Sequence, residues 1–487
     1  LAPVVPRLAP SARQPALQAE LERIVAHWKA RADREAAKSK HWNRAQVEIA
    51  LSVRREPDGA EVAAVFPERA LRPASNQKLV TTATALALLG PQAAFRTPIQ
   101  LQGELVNGVL AGDLVVQGGG DPLHDRTDPH YAQLRLRDAA RALKNRGLAR
   151  VSGALVLDEG GFDAPAPGPA WPSPSQHWQD YCALSGAFSV NGGMLSALVR
   201  PARVGEPALV ELLPAPSGLS ESIGVATVAG GRSDVQVGAT ARNATVRGSL
   251  GIGAEPVNAA FAHPDPVQAF GACLLGALDA AGIQVERGVV RQRNRWDPAL
   301  EPTVVIETPI AHVLQAINTD STNPVADQLF LATGAAAGGS PTRAGGRAAT
   351  ARALASLGVS ADGLAQVDGS GLSRDNRISA RQLSALVHAV LSGGGEAAAL
   401  WRGSLALAGQ TGTLEKRLVG TPSAGRVRAK TGFIAGTSSL SGVATALDGR
   451  EHVFAILVNY PDVDGLNNAC WKPMQDEIVR LLVERLP

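Results

Sequence analysis

Three short islands carry the residues best suited to chemistry: Ser75-Asn76-Gln77-Lys78, Ser321-Thr322-Asn323 and Lys430-Thr431-Gly432. In chain order they read S-x-x-K, S-x-N and K-T-G. A hydroxyl three residues ahead of an amine lies on the same face when the segment is helical. A serine hydroxyl is a poor nucleophile near neutrality and needs a neighbouring base. The Lys78 amine can serve if it is deprotonated, which burial and a second cation, Lys430, both promote. The chemistry these groups imply is acyl transfer through a serine ester, with no histidine and no metal. Ser321 fits as a proton relay between Lys78 and a leaving amine, and Asn323 offers a carbonyl and an NH2 to a substrate amide. Lys430 and Thr431 suit a terminal carboxylate, and Gly432 lets a substrate backbone lie against its strand. The N–H groups of Ser75 and Phe433 are the expected oxyanion donors.

Each island alone is a weak signal. S-x-N recurs at Ser189-Val190-Asn191, and Gln410-Thr411-Gly412 nearly repeats K-T-G. Lysine is scarce, however: the chain has eight, and two of them fall in the islands. Plainer readings stand beside the catalytic one. Ser75 suits a helix cap, with Lys78 a solvated side chain, and Asn323 before Pro324 suits an N-cap. Lys430 to Gly432 suits an ordinary strand with a glycine bulge.

Around these islands the pattern predicts a helix over 15–38, with Leu17, Leu21, Ile24, Val25 and Trp28 at helical spacing, and another over 73–90 behind Pro73. Strands are expected at Val47–Val53, Val62–Phe66, Lys430–Ala435, Leu440–Leu447 and His452–Tyr460, with a hairpin at Asp448-Gly449. A closing helix carries Ile478, Val479, Leu481, Leu482 and Leu486. Strands from both ends are expected to share one antiparallel sheet with the terminal helices packed on it. More than two hundred residues separate the first two islands. Short β-type segments at Leu114–Gln117, Ala154–Leu157, Leu209–Leu213 and Ala244–Val246, and helices near 133–146 and Val267–Ala281, mark one or two inserted domains. The stretch 334–347, rich in glycine and alanine, is expected to be a mobile loop.

A net charge of +3 over 487 residues gives no ground for nucleic-acid binding, and no basic run with interleaved aromatics occurs. No apolar run reaches transmembrane length. The start, Leu1 to Pro6, lacks the regions of a signal peptide, so either the protein is cytoplasmic or a signal has been removed. Cys182, Cys273 and Cys470 are widely spaced, and Cys273 reads as a core residue. The nine histidines show no metal-binding spacing, so neither metal nor cofactor is expected.

The three islands in this order resemble the signature shared by penicillin-binding proteins and class A β-lactamases. From about residue 40 onward the chain resembles the penicillin-binding protein 4-like D-alanyl-D-alanine carboxypeptidase/endopeptidases, peptidase family S13. Beyond the islands the resemblance rests on Gly112-Asp113-Leu114, Gly119-Gly120-Asp121-Pro122, Trp171-Pro172, Val367 to Arg374 and Gly412-Thr413-Leu414. It implies an α/β (α+β) fold: a transpeptidase-like antiparallel sheet flanked by helices, with large nested β-rich inserted domains. The expected divisions are 1–95 with 300–487 for the catalytic domain, 96–164 with 248–299 for a second, and 165–247 for a third.

Residue by residue, the family pattern makes Ser75 the nucleophile and Lys78 its base, with Ser321 and Asn323 in the second motif and Lys430, Thr431 and Gly432 in the third. Asp158 and Phe162 match an inserted-domain acid and aromatic that face the substrate's diamino acid in relatives, where the aspartate would pair with a free ammonium. Thr322 and Pro324 depart from the family's usual flanks of that asparagine, and Ala435 stands where relatives carry a longer side chain. The resemblance implies a periplasmic serine DD-peptidase acting on peptidoglycan stem peptides and cross-links, and trapped by β-lactams. A β-lactamase and a non-catalytic cell-wall scaffold are the competing readings.

Overall fold

The structure, a computed structural model, describes residues 11–484; the expectations placed on Leu1 to Pro6 and on Leu486 lie outside the described residues. Helix α1 (Pro15–Glu35) begins with proline at its first turn, where a missing N–H costs nothing, and buries the expected stripe of Leu17, Leu21, Ile24, Val25 and Trp28. Strands β1 (Glu48–Arg55) and β2 (Glu61–Val65) form an antiparallel pair. A short 3-10 turn, Ala74–Asn76, then leads into α2 (Gln77–Leu89).

The inserted block starts with β3 (Ala94–Val106) and β4 (Val109–Gln117), followed by α3 (Tyr131–Asn145) and β5 (Leu155–Asp158). After a long excursion it returns through α4 (Pro266–Ala280), β6 (Val289–Gln292) and β7 (Val304–Pro309). The chain then re-enters the first unit with α5 (Ile310–Asn318), α6 (Asn323–Ala336), α7 (Arg343–Ser356) and α8 (Ala380–Ser392). It ends on β8 (Ala406–Leu407), β9 (Val427–Ile434), β10 (Thr437–Thr445), β11 (Glu451–Asn459) and α9 (Lys472–Glu484).

One antiparallel six-stranded sheet, in the order β8-β9-β10-β11-β1-β2, unites the two chain ends as expected. Its central strand shows why it is buried on both faces. Phe454, Ile456 and Val458 of β11 enter the core beneath α1 and α9, while Val453, Ala455 and Leu457 enter the core beneath α2, α5, α6 and α8. Alternation with period two sends each set to its own side. Burying one such leucine or phenylalanine side chain contributes about 2–3 kcal/mol. The α2 side carries the first two islands, so both are anchored in one core.

The inserted block forms a larger sheet and two smaller ones. In the larger sheet β5 runs parallel to both β4 and β6, and β7 closes onto β3. The smaller sheets, Ser220–Val228 with Asn243–Gly251 and Ser233–Ala239, and Val257–Ala262 with Met194–Arg200 and Leu209–Leu213, share a core that includes Val199, Val246 and Phe261. The expected divisions therefore shift. A break at 247 would cut the strand Asn243–Gly251, and one at 299 would separate β7 from its partner β3. The expected loop over 334–347 is also corrected: α6 runs to Ala336 and α7 starts at Arg343. Its glycines serve close packing, since a Cβ on Gly346 would sit 2.6 Å from the Phe330 ring.

Candidate active site

Ser75 occupies the 3-10 turn ahead of α2, and Lys78 the first turn of that helix, which brings the hydroxyl and amine together. Lys78 is fully buried. Its Nζ lies 3.0 Å from Ser75 Oγ, and it donates to Asn323 Oδ1 at 2.6 Å and to the Ser370 carbonyl at 2.7 Å. Burial pushes this amine down to about 7, against the opposing pull of Asp327 and Asp368. A neutral amine has two N–H groups and one lone pair. Asn323 Oδ1 and the Ser370 carbonyl are acceptors, so they take the two N–H groups. The lone pair is then left for the one partner that can donate, the Ser75 hydroxyl. Burial thus makes the basic form of Lys78 accessible near neutrality, and the two acceptors aim its lone pair at the nucleophile.

Neither cap reading survives this geometry. The Ser75 turn and α2 have no side-chain cap bond, and Asn323 uses its side chain on Lys78 and, through Nδ2, on the Tyr181 carbonyl at 3.1 Å. Pro324 fills the first turn of α6, where its lack of an N–H leaves no bond unmade.

Strand β9 carries the third island with regular pairing to β10 from Val427 to Ile434, without a bulge. Strand β8 pairs only Ala429 and Arg428, so the outer edge of β9 is unpaired from Lys430 onward. Asn76 Nδ2 donates to the Lys430 carbonyl at 2.9 Å, and Ser439 Oγ donates to the Pro73 carbonyl at 2.6 Å, which tie the nucleophile turn to the sheet. At Gly432 a Cβ would lie 2.2 Å from Ser439 Oγ and 3.0 Å from the Ser75 nitrogen, so only glycine lets strand and turn meet. Lys430 is fully buried, and its Nζ donates to the Thr431 carbonyl at 3.0 Å. Burial, then the charge of Lys78, hold its amine well below the usual lysine range. Phe433 is exposed.

Ser321 is less engaged. Its backbone is left-handed at φ 68°, a strained conformation for serine, and among the described residues its hydroxyl makes no hydrogen bond to Ser75, Lys78 or Lys430. It lines a neighbouring cavity of about 270 Å3 together with Thr322 and Asn323.

With this geometry in view, comparison with known proteins is decisive. A match to the D-Ala-D-Ala carboxypeptidase 3 (S13) family covers residues 36–484. The chain belongs to this family. It is a serine peptidase that acts on peptidoglycan. A D-alanyl-D-alanine carboxypeptidase of Actinomadura sp. (strain R39) is 31% identical over 406 residues, covering 80% of this chain and 73% of the relative. Carboxypeptidase DacB of Mycolicibacterium smegmatis is 25% identical, covering 80% of this chain and 71% of its own. The crystal structure of penicillin binding protein 4 (dacB) from Haemophilus influenzae superposes with a TM-score of 0.73 at 20% identity, over 94% of this chain and 99% of that one. That likeness establishes the transpeptidase-type α/β fold with its insertions.

Within this S13 fold, two expected substrate contacts are corrected. Asp158 is buried, and its carboxylate accepts from the backbone N–H groups of Gly160, Asn294, Arg295 and Trp296 at 2.6 to 2.9 Å. Four donors occupy its lone pairs, so no oxygen is free for a substrate ammonium. Phe162 is buried in the core of the inserted sheet with Leu157 and Leu114.

Other groups were missed. Asp327, on α6, accepts from Gly369 N at 2.8 Å, Ser370 N at 2.9 Å and Ser370 Oγ at 3.1 Å, and so fixes the carbonyl that holds Lys78. Burial and then Asp368 push the Asp327 carboxyl up to about 7, while Lys78 and its donors pull it down. Asp368 clamps the same loop through Gly371 N at 2.8 Å, Ser373 N at 2.7 Å and Asn376 Nδ2 at 2.8 Å. A signal existed: Asp327 stands four residues after Asn323, on the same helix face.

Proposed function

We propose that Ser75 attacks the penultimate D-alanyl carbonyl of stem peptides ending in D-Ala-D-Ala, and of the equivalent cross-links, making the protein a DD-carboxypeptidase and DD-endopeptidase. Lys78 takes the hydroxyl proton as Oγ bonds to the carbonyl carbon. The N–H groups of Ser75 and Phe433 receive the oxyanion, and Lys430 with Thr431 receives the terminal carboxylate. Collapse breaks the C–N bond, and the departing amine takes a proton by way of Lys78. Ser321 relays that proton once substrate draws its hydroxyl inward. Water, activated in the same way, then resolves the ester.

The observation that carries this mechanism is the arrangement of two acceptors and one hydroxyl around the buried Lys78 amine. β-Lactams present the same carbonyl and carboxylate and acylate Ser75; a Haemophilus influenzae relative has been solved complexed with a novel beta-lactam. The substrate lies outside the cytoplasm, and we place the protein in the periplasm; no helix among the described residues is long and apolar enough to cross a membrane.

Incubation with fluorescent penicillin tests the assignment. A stable adduct on the peptide containing Ser75, its loss in Ser75→Ala at nearly unchanged melting temperature, and release of D-alanine from a pentapeptide are expected. Rapid turnover of the penicillin would instead identify a β-lactamase, and absence of any adduct a scaffold.

A further inference from the structure

A second cavity, of about 470 Å3, opens on the α9 side of β9 and is lined in part by Thr431 and Gly432 of the third island. Its charge is one-sided. Lys416, Arg417 and Lys472 line it, and no carboxylate does. Arg417 is neutralised by Asp476 at 2.6 Å. Lys472 Nζ donates to a neutral amide, Asn468 Oδ1, at 2.8 Å and shares the field of that same Asp476, and Lys416 has no ion-pair partner among the described residues. Three cationic groups therefore share the one carboxylate of Asp476, and the space carries a net positive charge. Asn467 also lines it; this side chain is buried, and its Oδ1 lacks a hydrogen-bond donor. Asn467 begins a single π turn, Asn467–Trp471, a local distortion that is often found where a helix presents groups to a ligand.

These groups specify an occupant. A net positive charge calls for anionic groups, and an acceptor without a donor calls for an N–H. An anionic peptide supplies both, whereas a phosphate polymer supplies only the first. We infer that this cavity receives the leaving half of a cross-linked substrate, the second, acidic stem peptide whose side-chain amine departs from Ser75. The inference rests on the proposed function. The bond changes are those of that reaction: Oγ–C forms, C–N breaks, and the amine leaves with its proton. Only the leaving group differs. In a cross-link the carboxylate beside the departing amine sits at Lys430 and Thr431, and the rest of its peptide continues past Thr431 into the cavity. Free D-alanine ends at Thr431 and does not reach Lys416 or Lys472.

The test compares two substrates in the Lys416→Ala/Lys472→Ala double variant of the full chain, with a melting curve to verify folding. Cleavage of a cross-linked muropeptide dimer is expected to lose about tenfold in kcat/KM, mainly through KM, and to weaken with added salt in the unsubstituted protein. Penicillin acylation and pentapeptide cleavage are expected to stay within about twofold. Unchanged dimer cleavage, equal losses on both substrates, or a parent protein that releases D-alanine yet leaves the dimer intact would each overturn the inference alone. A parent protein that penicillin fails to acylate would overturn the proposed function, and this inference with it.

Discussion

Asp327 in the catalytic unit and Asp158 in the inserted sheet are both buried, and each holds a distant loop by accepting backbone N–H groups. Their surroundings differ. The loop gripped by Asp327 presents the Ser370 carbonyl to Lys78 Nζ at 2.7 Å, so that carboxylate acts on the reacting amine through one peptide unit. The loop gripped by Asp158 ends at Trp296, which packs beside Val115, Ala154 and Val156. One aspartate thus positions a base, and the other fastens two strands. A buried, saturated carboxylate is not by itself a sign of function; what its loop delivers decides.

The contrast is open to breakage at three points. Lys78→Ala removes the base on which the Asp327 side converges, and acylation by penicillin should fall by about a thousandfold or more with the melting temperature preserved or raised. Retained acylation would make the comparison meaningless. Asp327→Asn puts an NH2 where an acceptor stood and loosens the Ser370 carbonyl. Acylation should drop about 10–100-fold, and its pH midpoint should move as the charge near Lys78 is lost. A fall in stability alone, with kinetics intact, would reduce Asp327 to the same class as Asp158. The smallest kinetic effect belongs to Asp158→Ala, which leaves four N–H groups without acceptors. It should cost about 2–4 kcal/mol of stability while acylation stays within about threefold. A selective loss on substrates with a free ammonium would restore the substrate contact that the geometry denies.

The fold was legible because α1 repeats with a clear helical period and β11 is a short apolar run behind the Asp448-Gly449 turn. The Ser75–Lys78 pair was legible because a helix fixes the separation of residues three apart. Asn323 was legible as a motif residue, though its alternative as a cap was removed only by its contact with Lys78. The Ser370 carbonyl was not legible, since a backbone oxygen has no residue type and meets Lys78 from 292 positions away. Asp158 was misread because its sequence neighbours resemble those of substrate contacts, while its true partners, residues 294–296, come from a different strand turn. Gly334 and Gly346 were misread as loop formers because composition does not distinguish a flexible turn from two helices in close contact.

The central claim is that Lys78 acts as a neutral base, brought into that form by its burial and oriented toward Ser75 by its two acceptors. The rate of penicillin acylation from about pH 5 to about pH 9 tests it most directly. A protonated amine has no lone pair, so the rate should fall about tenfold per pH unit below its midpoint and level off above it. With the amine depressed to about 7, the bend belongs near that pH. A rate that is flat across this range, or highest in acid, would contradict a lysine base at this site.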